Sequence, residues 1–146
     1  MKNRTWTGSF RAAGIGVVES WRRGPNFRLQ LAIGFTVWRA AAALGVSSLE
    51  QVAIILAAAL VLAAETANTA IEVVIDLVSP EYHVLARLAK DLAAGSVLIA
   101  AAGAAAVGIA VLLPYLLMRA PLRSSPPLLA LDALVAVALF AAALRR

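Results

Sequence analysis

The feature that most constrains the fold of this chain is a series of long apolar runs separated by short polar segments. The runs cover residues 27–46, 52–78 and 92–117. Each is long enough to cross the hydrocarbon layer of a membrane as a helix, which takes about 20 residues. Hydrophobic residues make up 62% of the sequence and charged residues 14%, which leaves too little polar surface for a water-soluble domain. We therefore expect an all-α integral membrane protein of one domain.

The segment before the first span predicts an amphipathic helix over residues 9–22. Its charged residues lie largely off an apolar stripe formed by Phe10, Gly14, Val17 and Trp21. A basic helix with one apolar face lies in the membrane surface, and Gly24-Pro25 ends it.

The C-terminal tail differs from the rest of the chain. Residues 118–127 form a linker rich in proline and arginine, and residues 128–146 form an extra hydrophobic helix with one acid, Asp132. This last block is barely long enough to span, so it either crosses the membrane or lies at its interface.

The distribution of basic residues predicts the topology. Six of them precede or begin the first span, none lies in the loop after it, and Arg87 and Lys90 follow the second span. Basic residues collect on the cytoplasmic side, so the N-terminus and the 79–91 loop are expected there. Because these residues flank apolar runs, the net charge of +5 suits anionic lipid headgroups rather than nucleic acid. Arg39 interrupts the first span, which is costly unless it snorkels toward the nearer surface or faces a polar partner.

The second span has a stripe of polar residues, Glu65, Asn68, Glu72 and Asp76. At about 100° per residue, Glu72 and Asp76 return to within roughly 20° of Glu65, and Asn68 lies about 60° away. Ionisable groups at membrane depth are costly and usually functional. Mg²⁺ would relieve the repulsion between the acids, and crowding would adapt one carboxyl group to general-base catalysis. The alternative is a stripe that hydrogen-bonds neighbouring helices.

Other polar residues are open to two interpretations. Asp76 is near the helix end, where a solvated or capping role is equally compatible. His83 is the only histidine, and a lone loop histidine is more often a surface residue than a ligand. Lys90 and Asp91 form either a charge pair at a helix end or, in the case of Lys90, a phosphate contact. The sequence contains no GxxxxGK[ST] motif, which excludes a P-loop nucleotide site.

The segment E65-T-A-N-T-A-I-E72-V-V-I-D76, followed by E81-Y-H83 and A89-K-D91, resembles the prokaryotic diacylglycerol kinase family, which includes undecaprenol kinases. The resemblance covers about residues 10–117. It implies a three-span enzyme with an N-terminal surface helix in the bacterial inner (cell) membrane, and a homotrimer whose active sites are shared between subunits. It also implies Mg-ATP as the phosphoryl donor and a lipid alcohol, diacylglycerol or undecaprenol, as the acceptor.

The resemblance also implies roles for individual residues. Glu65 would be the general base that deprotonates the lipid hydroxyl, Asn68 would position substrate and nucleotide, and Glu72 would bind the metal. Four further residues would contact the nucleotide or lie near it: Lys90, Asp91, Glu81 and His83.

One position departs from the family pattern. A metal-binding Glu usually stands a few residues before the first span, where this sequence has Gly24 in G24-P-N-F-R28. Glu19 would substitute only if its helix were repositioned. A lipid kinase is the expected function. Two alternatives are a protein of the same fold with weakened or lost activity, and a non-enzymatic oligomeric scaffold or permeation protein whose polar stripe lines a path.

Overall fold

The computed structural model describes residues 5–81, 83–118 and 126–144, and all of its regular secondary structure is α-helical. This confirms the predicted all-α class. Five helices follow one another along the chain: α1 (Trp6–Arg23), α2 (Pro25–Leu44), α3 (Ser48–Val78), α4 (Val84–Leu117) and α5 (Pro126–Leu144).

Two of these helices, α3 and α4, are long and apolar enough to cross a membrane. They contain 31 and 34 residues, so they are about 46 and 51 Å long. The hydrocarbon layer is only about 30 Å thick. A paired α3 and α4 that cross it therefore also extend beyond it. The two helices pack against each other.

The first predicted span corresponds to α2, whose 20 residues reach about 30 Å. It falls outside the pair of helices selected by length and hydropathy, because Arg28, Gln30 and Arg39 lower its mean hydropathy. Helix α2 nevertheless packs closely on α3, where a Cβ at Gly34 would lie 3.0 Å from the Ala58 Cβ. The number of spans therefore stays a prediction beyond α3 and α4.

A tight turn joins α2 to α3. Gly45 adopts the left-handed conformation with φ 71°, which glycine reaches without steric cost. Ser47 and Glu50 then form a capping box at the start of α3, and the Tyr115 hydroxyl donates to Glu50 Oε2 at 3.0 Å. Helix α3 therefore begins at Ser48, four residues before the predicted span, because the polar residues expected to form a loop cap the helix instead.

The connection from α3 to α4 is shorter than the sequence predicted. The sequence predicts a loop over residues 79–91, whereas α4 begins at Val84 and makes most of this segment helical. The His83 Nδ1 accepts a hydrogen bond from the Leu85 N–H at 3.2 Å and caps the helix. Charged residues after this point favour water without breaking a helix, so Lys90 and Asp91 lie two turns inside α4.

Helix α1 covers the segment 9–22 that the sequence predicts as helical and extends beyond it at its N-terminal end. The Thr5 hydroxyl caps its start by accepting from the Gly8 N–H at 3.3 Å, and the Gly24 N–H donates to the Ser20 carbonyl at its end at 2.9 Å. Helix α1 contacts α2 and α3. Its location in a membrane surface stays a prediction.

Helix α5 forms the predicted extra C-terminal helix, and it packs against α2 and no other described helix. The Arg39 guanidinium donates two hydrogen bonds of 2.7 Å to the Asp132 carboxylate. Of the two possibilities for Arg39, the structure therefore shows a polar partner, an acid on the neighbouring helix. Most of the predicted linker 118–127 lies outside the described residues.

Candidate active site

A cleft of about 370 Å³ lies where the junction between α1 and α2 meets the second half of α3. We call it the acidic cleft. Its lining combines carboxylates and amides with the backbone of the junction: Arg23, Gly24, Pro25, Asn26, Glu65, Asn68, Thr69, Glu72, Val73 and Asp76. The polar stripe predicted on α3 thus faces one common space, as helical periodicity required.

Glu65 lies at the inner end of the acidic cleft and is 3% exposed. The side-chain amides of Asn26 and Gln30, one turn apart on α2, hydrogen-bond to its carboxyl group. A buried carboxyl group needs such partners, because an unpaired one is costly to remove from water. The contact also fixes the carboxyl group, since both amides come from one rigid helix.

Asn68 hydrogen-bonds to a carboxylate in the next turn of α3. Its Nδ2 donates to the Glu72 Oε1 at 3.1 Å, and the residue is 7% exposed. The Asn68 Oδ1 is buried and has no hydrogen-bond partner among the described residues. A buried acceptor of this kind calls for a donor or a cation, so this oxygen is suited to contact a ligand of the acidic cleft.

At the outer edge of the acidic cleft, the Lys90 Nζ donates to the Asp76 Oδ1 at 2.5 Å. This ion pair joins α3 to α4 and brings one predicted nucleotide residue to the cleft. Asp91 pairs instead with Arg87, at 3.8 Å. The alternative in which Lys90 and Asp91 pair with each other is therefore wrong, because consecutive helical residues point about 100° apart.

The remaining predicted nucleotide residues do not line the acidic cleft. The backbone carbonyl of Glu81 accepts from the Ser79 hydroxyl at 3.3 Å, and His83 caps α4. The structure thus brings together Glu65, Asn68 and Glu72, with Lys90 at their edge, and leaves Glu81, His83 and Asp91 apart from them.

Gly24 lines the acidic cleft at the position where the family pattern expects an acid. A Cβ there would lie 2.8 Å from the Ser20 carbonyl oxygen and 3.2 Å from the Phe27 Cβ. Glu19 does not take its place, since it forms ion pairs with Arg22 and Arg23 at 3.5 and 2.9 Å. The hydrogen bond from Arg23 lowers the pKa of Glu19 below its ordinary value.

The acidic cleft has the donor chemistry that Mg²⁺ prefers, which is carboxylate and amide oxygen. Glu72 and Asn68 both line this cleft. Within the described part of the chain, no three Asp, Glu, His or Cys side chains converge closely enough to hold a metal ion by themselves. Mg²⁺ in proteins usually keeps several waters and is bound through one or two carboxylates and substrate phosphates.

An apolar cavity of about 560 Å³ lies between α2, α3 and α4. Its lining is almost wholly Ala, Gly, Val, Leu and Ile, and Gln30 is the polar residue in it. Because Gln30 also hydrogen-bonds to Glu65, the apolar cavity meets the inner end of the acidic cleft.

The height of Glu65 follows from the helix lengths. Counted from Ser48, Glu65 lies about 26 Å along α3 and Glu72 about 36 Å. A hydrocarbon layer of about 30 Å that began at the turn at Gly45 would end between them.

Residues 11–112 match the sequence profile of the prokaryotic diacylglycerol kinase family. This chain belongs to the prokaryotic diacylglycerol kinase family. The match confirms the resemblance, and it includes the whole stripe on α3 and the start of α4. Helix α5 lies beyond it.

Individual members of the prokaryotic diacylglycerol kinase family agree with this assignment. The chain is 44% identical over 110 residues to a diacylglycerol kinase of Synechocystis sp., covering 75% of this chain and 63% of that enzyme, which is less than two thirds of its length. It is 35% identical over 108 residues to the undecaprenol kinase of Bacillus subtilis, covering 74% and 88%. It is 34% identical over 110 residues to the diacylglycerol kinase of Escherichia coli, covering 68% and 86%.

Sequence reasoning missed two residues of the site, Asn26 and Gln30. Both are amides in or beside an apolar run, four residues apart and therefore on one face of α2. That spacing was the available signal. Their partner Glu65 lies on another helix, so the contact itself could be found only from the packing of α2 on α3.

Proposed function

We propose that this protein is a kinase that transfers the γ-phosphoryl group of ATP to the hydroxyl group of a membrane lipid alcohol. The observation that supports it most is the convergence of Glu65, Asn68 and Glu72 on one acidic cleft in a chain of the diacylglycerol kinase family. Phosphoryl transfer needs mainly positioning and charge neutralisation, which fixed carboxylates and amides can provide.

In this proposal Glu65 is the general base. It accepts the proton of the lipid hydroxyl as that oxygen forms a bond to the γ-phosphorus and the bond to the β-phosphate oxygen breaks, releasing ADP. Asn26 and Gln30 hold the carboxylate in place through their hydrogen bonds. A base positioned in this way contributes about 10²- to 10⁴-fold to the rate.

Glu72 and the Oδ1 of Asn68 hold Mg²⁺, which neutralises phosphate charge when it is bound. Lys90 exchanges Asp76 for a phosphate oxygen, as a flexible point charge can. We assign the nucleotide contacts of Asp91, Glu81 and His83 from the family resemblance, and these residues would meet the part of the nucleotide that extends past the acidic cleft over the start of α4.

The apolar cavity supports a lipid as the acceptor. A hydrocarbon chain in it would end beside Gln30, within reach of Glu65, so the hydroxyl group would need no further guide. Diacylglycerol and undecaprenol both fit this description. The segments N26-F-R and P80-E-Y-H resemble the undecaprenol kinases of the family more than its diacylglycerol kinases, which favours undecaprenol.

We further propose a multi-pass protein of the bacterial inner membrane with its N-terminus and the 79–91 segment in the cytoplasm, where ATP is available. The basic residues of both segments support this orientation. We also propose a homotrimer with shared active sites, because one chain leaves the nucleotide side of the acidic cleft open and a neighbouring subunit would complete it.

The test is phosphoryl transfer from radiolabelled ATP by purified protein in detergent with Mg²⁺ and a panel of lipid alcohols. We expect a labelled lipid and ADP, with the preferred alcohol identifying the substrate. Glu65→Gln removes the base without changing the shape of the side chain and should lower kcat by at least 10²-fold. Glu19→Gln, a matched change outside the acidic cleft, should retain activity.

Failure of every alcohol to accept label would contradict the proposal. Ion conductance without ATP in reconstituted vesicles would favour a permeation path through the stripe on α3. Label transfer that survives Glu65→Gln would show that another group takes the proton.

A further inference from the structure

We propose that α5 is a fourth membrane-spanning helix that braces α2 from the side opposite the acidic cleft and thereby positions Asn26 and Gln30 against Glu65. The tail beyond the family match would thus serve the site without touching it. The spanning and bracing steps rest on geometry alone. The effect on catalysis rests on the proposed function.

Two polar contacts join α5 to α2 near their opposite ends. The Arg39 guanidinium contacts the Asp132 carboxylate, and the Arg28 Nη1 donates to the Ala142 carbonyl oxygen at 3.1 Å. Eleven residues separate the two arginines and ten separate their partners, which corresponds to about 16 and 15 Å along the two helices. The helices are therefore antiparallel, in register, and matched in length over the contact.

The lengths agree with a span. Helix α5 has 19 residues and is about 28 Å long, close to the thickness of the hydrocarbon layer. Its antiparallel direction returns Leu144 to the level of the first turns of α2. The C-terminal end of α5 and the N-terminal end of α2 are then on one side of the membrane.

The ion pair between Arg39 and Asp132 fixes the position of α5 against α2. Their side chains are 25% and 19% exposed, and Arg39 is five residues, or about 8 Å, from the end of α2 at Leu44. At that depth an isolated charge of either sign is costly in lipid. Each charge is therefore stabilised mainly by the other, and loss of one leaves the remaining charge uncompensated.

Helix α2 has two opposed polar faces. At about 100° per residue, Arg28 and Arg39 lie within roughly 20° of each other and about 160–180° from Gln30. Asn26 lies about 40° from Gln30. One face therefore binds α5 and the other contacts Glu65, so the rotation of α2 about its axis is fixed from both sides. Release of the arginine face frees the amide face to turn.

The spanning step can be tested by site-directed labelling, because the natural chain has no cysteine. Single variants Leu144→Cys, Ser9→Cys and Ser48→Cys, all at exposed positions, are treated in intact cells and in inverted vesicles with a membrane-impermeant maleimide. We expect Leu144→Cys to label from the same side as Ser9→Cys and from the side opposite to Ser48→Cys. Labelling of Leu144→Cys from the Ser48→Cys side would overturn the proposal.

The brace can be tested with a charge exchange. Arg39→Asp and Asp132→Arg each place two like charges together, and we expect each to lower the melting temperature in detergent. The double variant restores an opposite-charge pair, and we expect it to recover most of the loss. A double variant no more stable than the single ones would overturn the Arg39–Asp132 brace. Both readouts are independent of kinase activity.

The positioning role needs a kinetic readout that a purely structural helix would not change. We expect Asp132→Asn and Gln30→Leu each to lower kcat by about 10- to 100-fold, the scale of a small misplacement at a reacting centre. Because both act through the orientation of α2, the double variant should lose little more than the worse single one. Multiplicative losses would separate α5 from the site and overturn this role. An inactive natural protein would instead count against the proposed function, leaving the labelling and melting results to decide the brace.

Discussion

Gly24 offers a direct test of how the α1–α2 junction shapes the acidic cleft. Its φ of −97° and ψ of 97° suit any residue, so glycine is not required by the backbone conformation. The constraint is contact, because a Cβ would lie 2.8 Å from the Ser20 carbonyl oxygen and 3.2 Å from the Phe27 Cβ. The first distance involves backbone, which moves only if the last turn of α1 moves with it.

We expect Gly24→Ala to be destabilising by about 1–3 kcal/mol, the usual cost of overpacking a close contact. For a chain of this length that corresponds to a fall in Tm of roughly 3–9 °C. Thermal unfolding in a fixed detergent measures it. Gly14→Ala is the matched control, because nothing lies within 4 Å of a Cβ at that helical position, and alanine there should be neutral or stabilising by up to about 1 kcal/mol.

Gly24→Glu extends the test to catalysis. The family pattern suggests that an acid at this position would add a metal ligand, whereas the contacts around Gly24 predict that its side chain enters only by displacing α1 from α2. We therefore expect Gly24→Glu to be at least as destabilising as Gly24→Ala and to leave kcat no higher than that of the natural protein. A Gly24→Glu variant with unchanged Tm and increased kcat would refute this reasoning.

Further predictions concern the capped start of α3 and the ion pairs near the end of α1. Tyr115→Phe removes the hydroxyl that donates to Glu50 and should lower stability by about 1 kcal/mol, while Glu50→Gln weakens both that bond and the capping box and should cost more, as measured by thermal unfolding. The Glu19 carboxyl should titrate below its ordinary pKa of 4.5 in NMR spectra, and Arg23→Gln should return it toward that value. Since the pKa is lowered on folding, the ion pair stabilises α1 above pH 4.5 and is lost as the pH falls through the lowered pKa; an unshifted titration would contradict the contact.

The part of the site that lies on one helix could be predicted from the sequence. Glu65, Asn68 and Glu72 recur at helical spacing, and a regular helix leaves them only one face to occupy. The start of α4 could not be found in the same way. A cluster of charged residues indicates where the chain leaves the hydrocarbon layer. It does not indicate where a helix ends, because a helix ends where its terminal N–H and C=O groups find other hydrogen-bond partners.

Contacts between helices could not be predicted by reading each segment of the sequence separately. Arg39 and Asp132 are 93 residues apart. The sequence left open whether Arg39 snorkels or has a polar partner, and it gave Asp132 only as a lone acid in an apolar block. Their complementary signs in two apolar runs were the missing clue. The amides Asn26 and Gln30 were overlooked for the same reason, since their partner Glu65 belongs to another helix.

The surplus length of α3 and α4 would divide the protein between lipid and water if both helices cross the membrane. In a hydrocarbon layer of about 30 Å that began at the turn at Gly45, the carboxyl group of Glu65 would lie near the far boundary, with Glu72 and Asp76 beyond it and the apolar cavity inside it. A lipid substrate could react while most of its hydrocarbon chain stays in the bilayer. A polyanionic substrate could bind from water without entering the bilayer. The two reactants would then meet across the boundary itself, so neither needs a carrier to bring it into the other's phase.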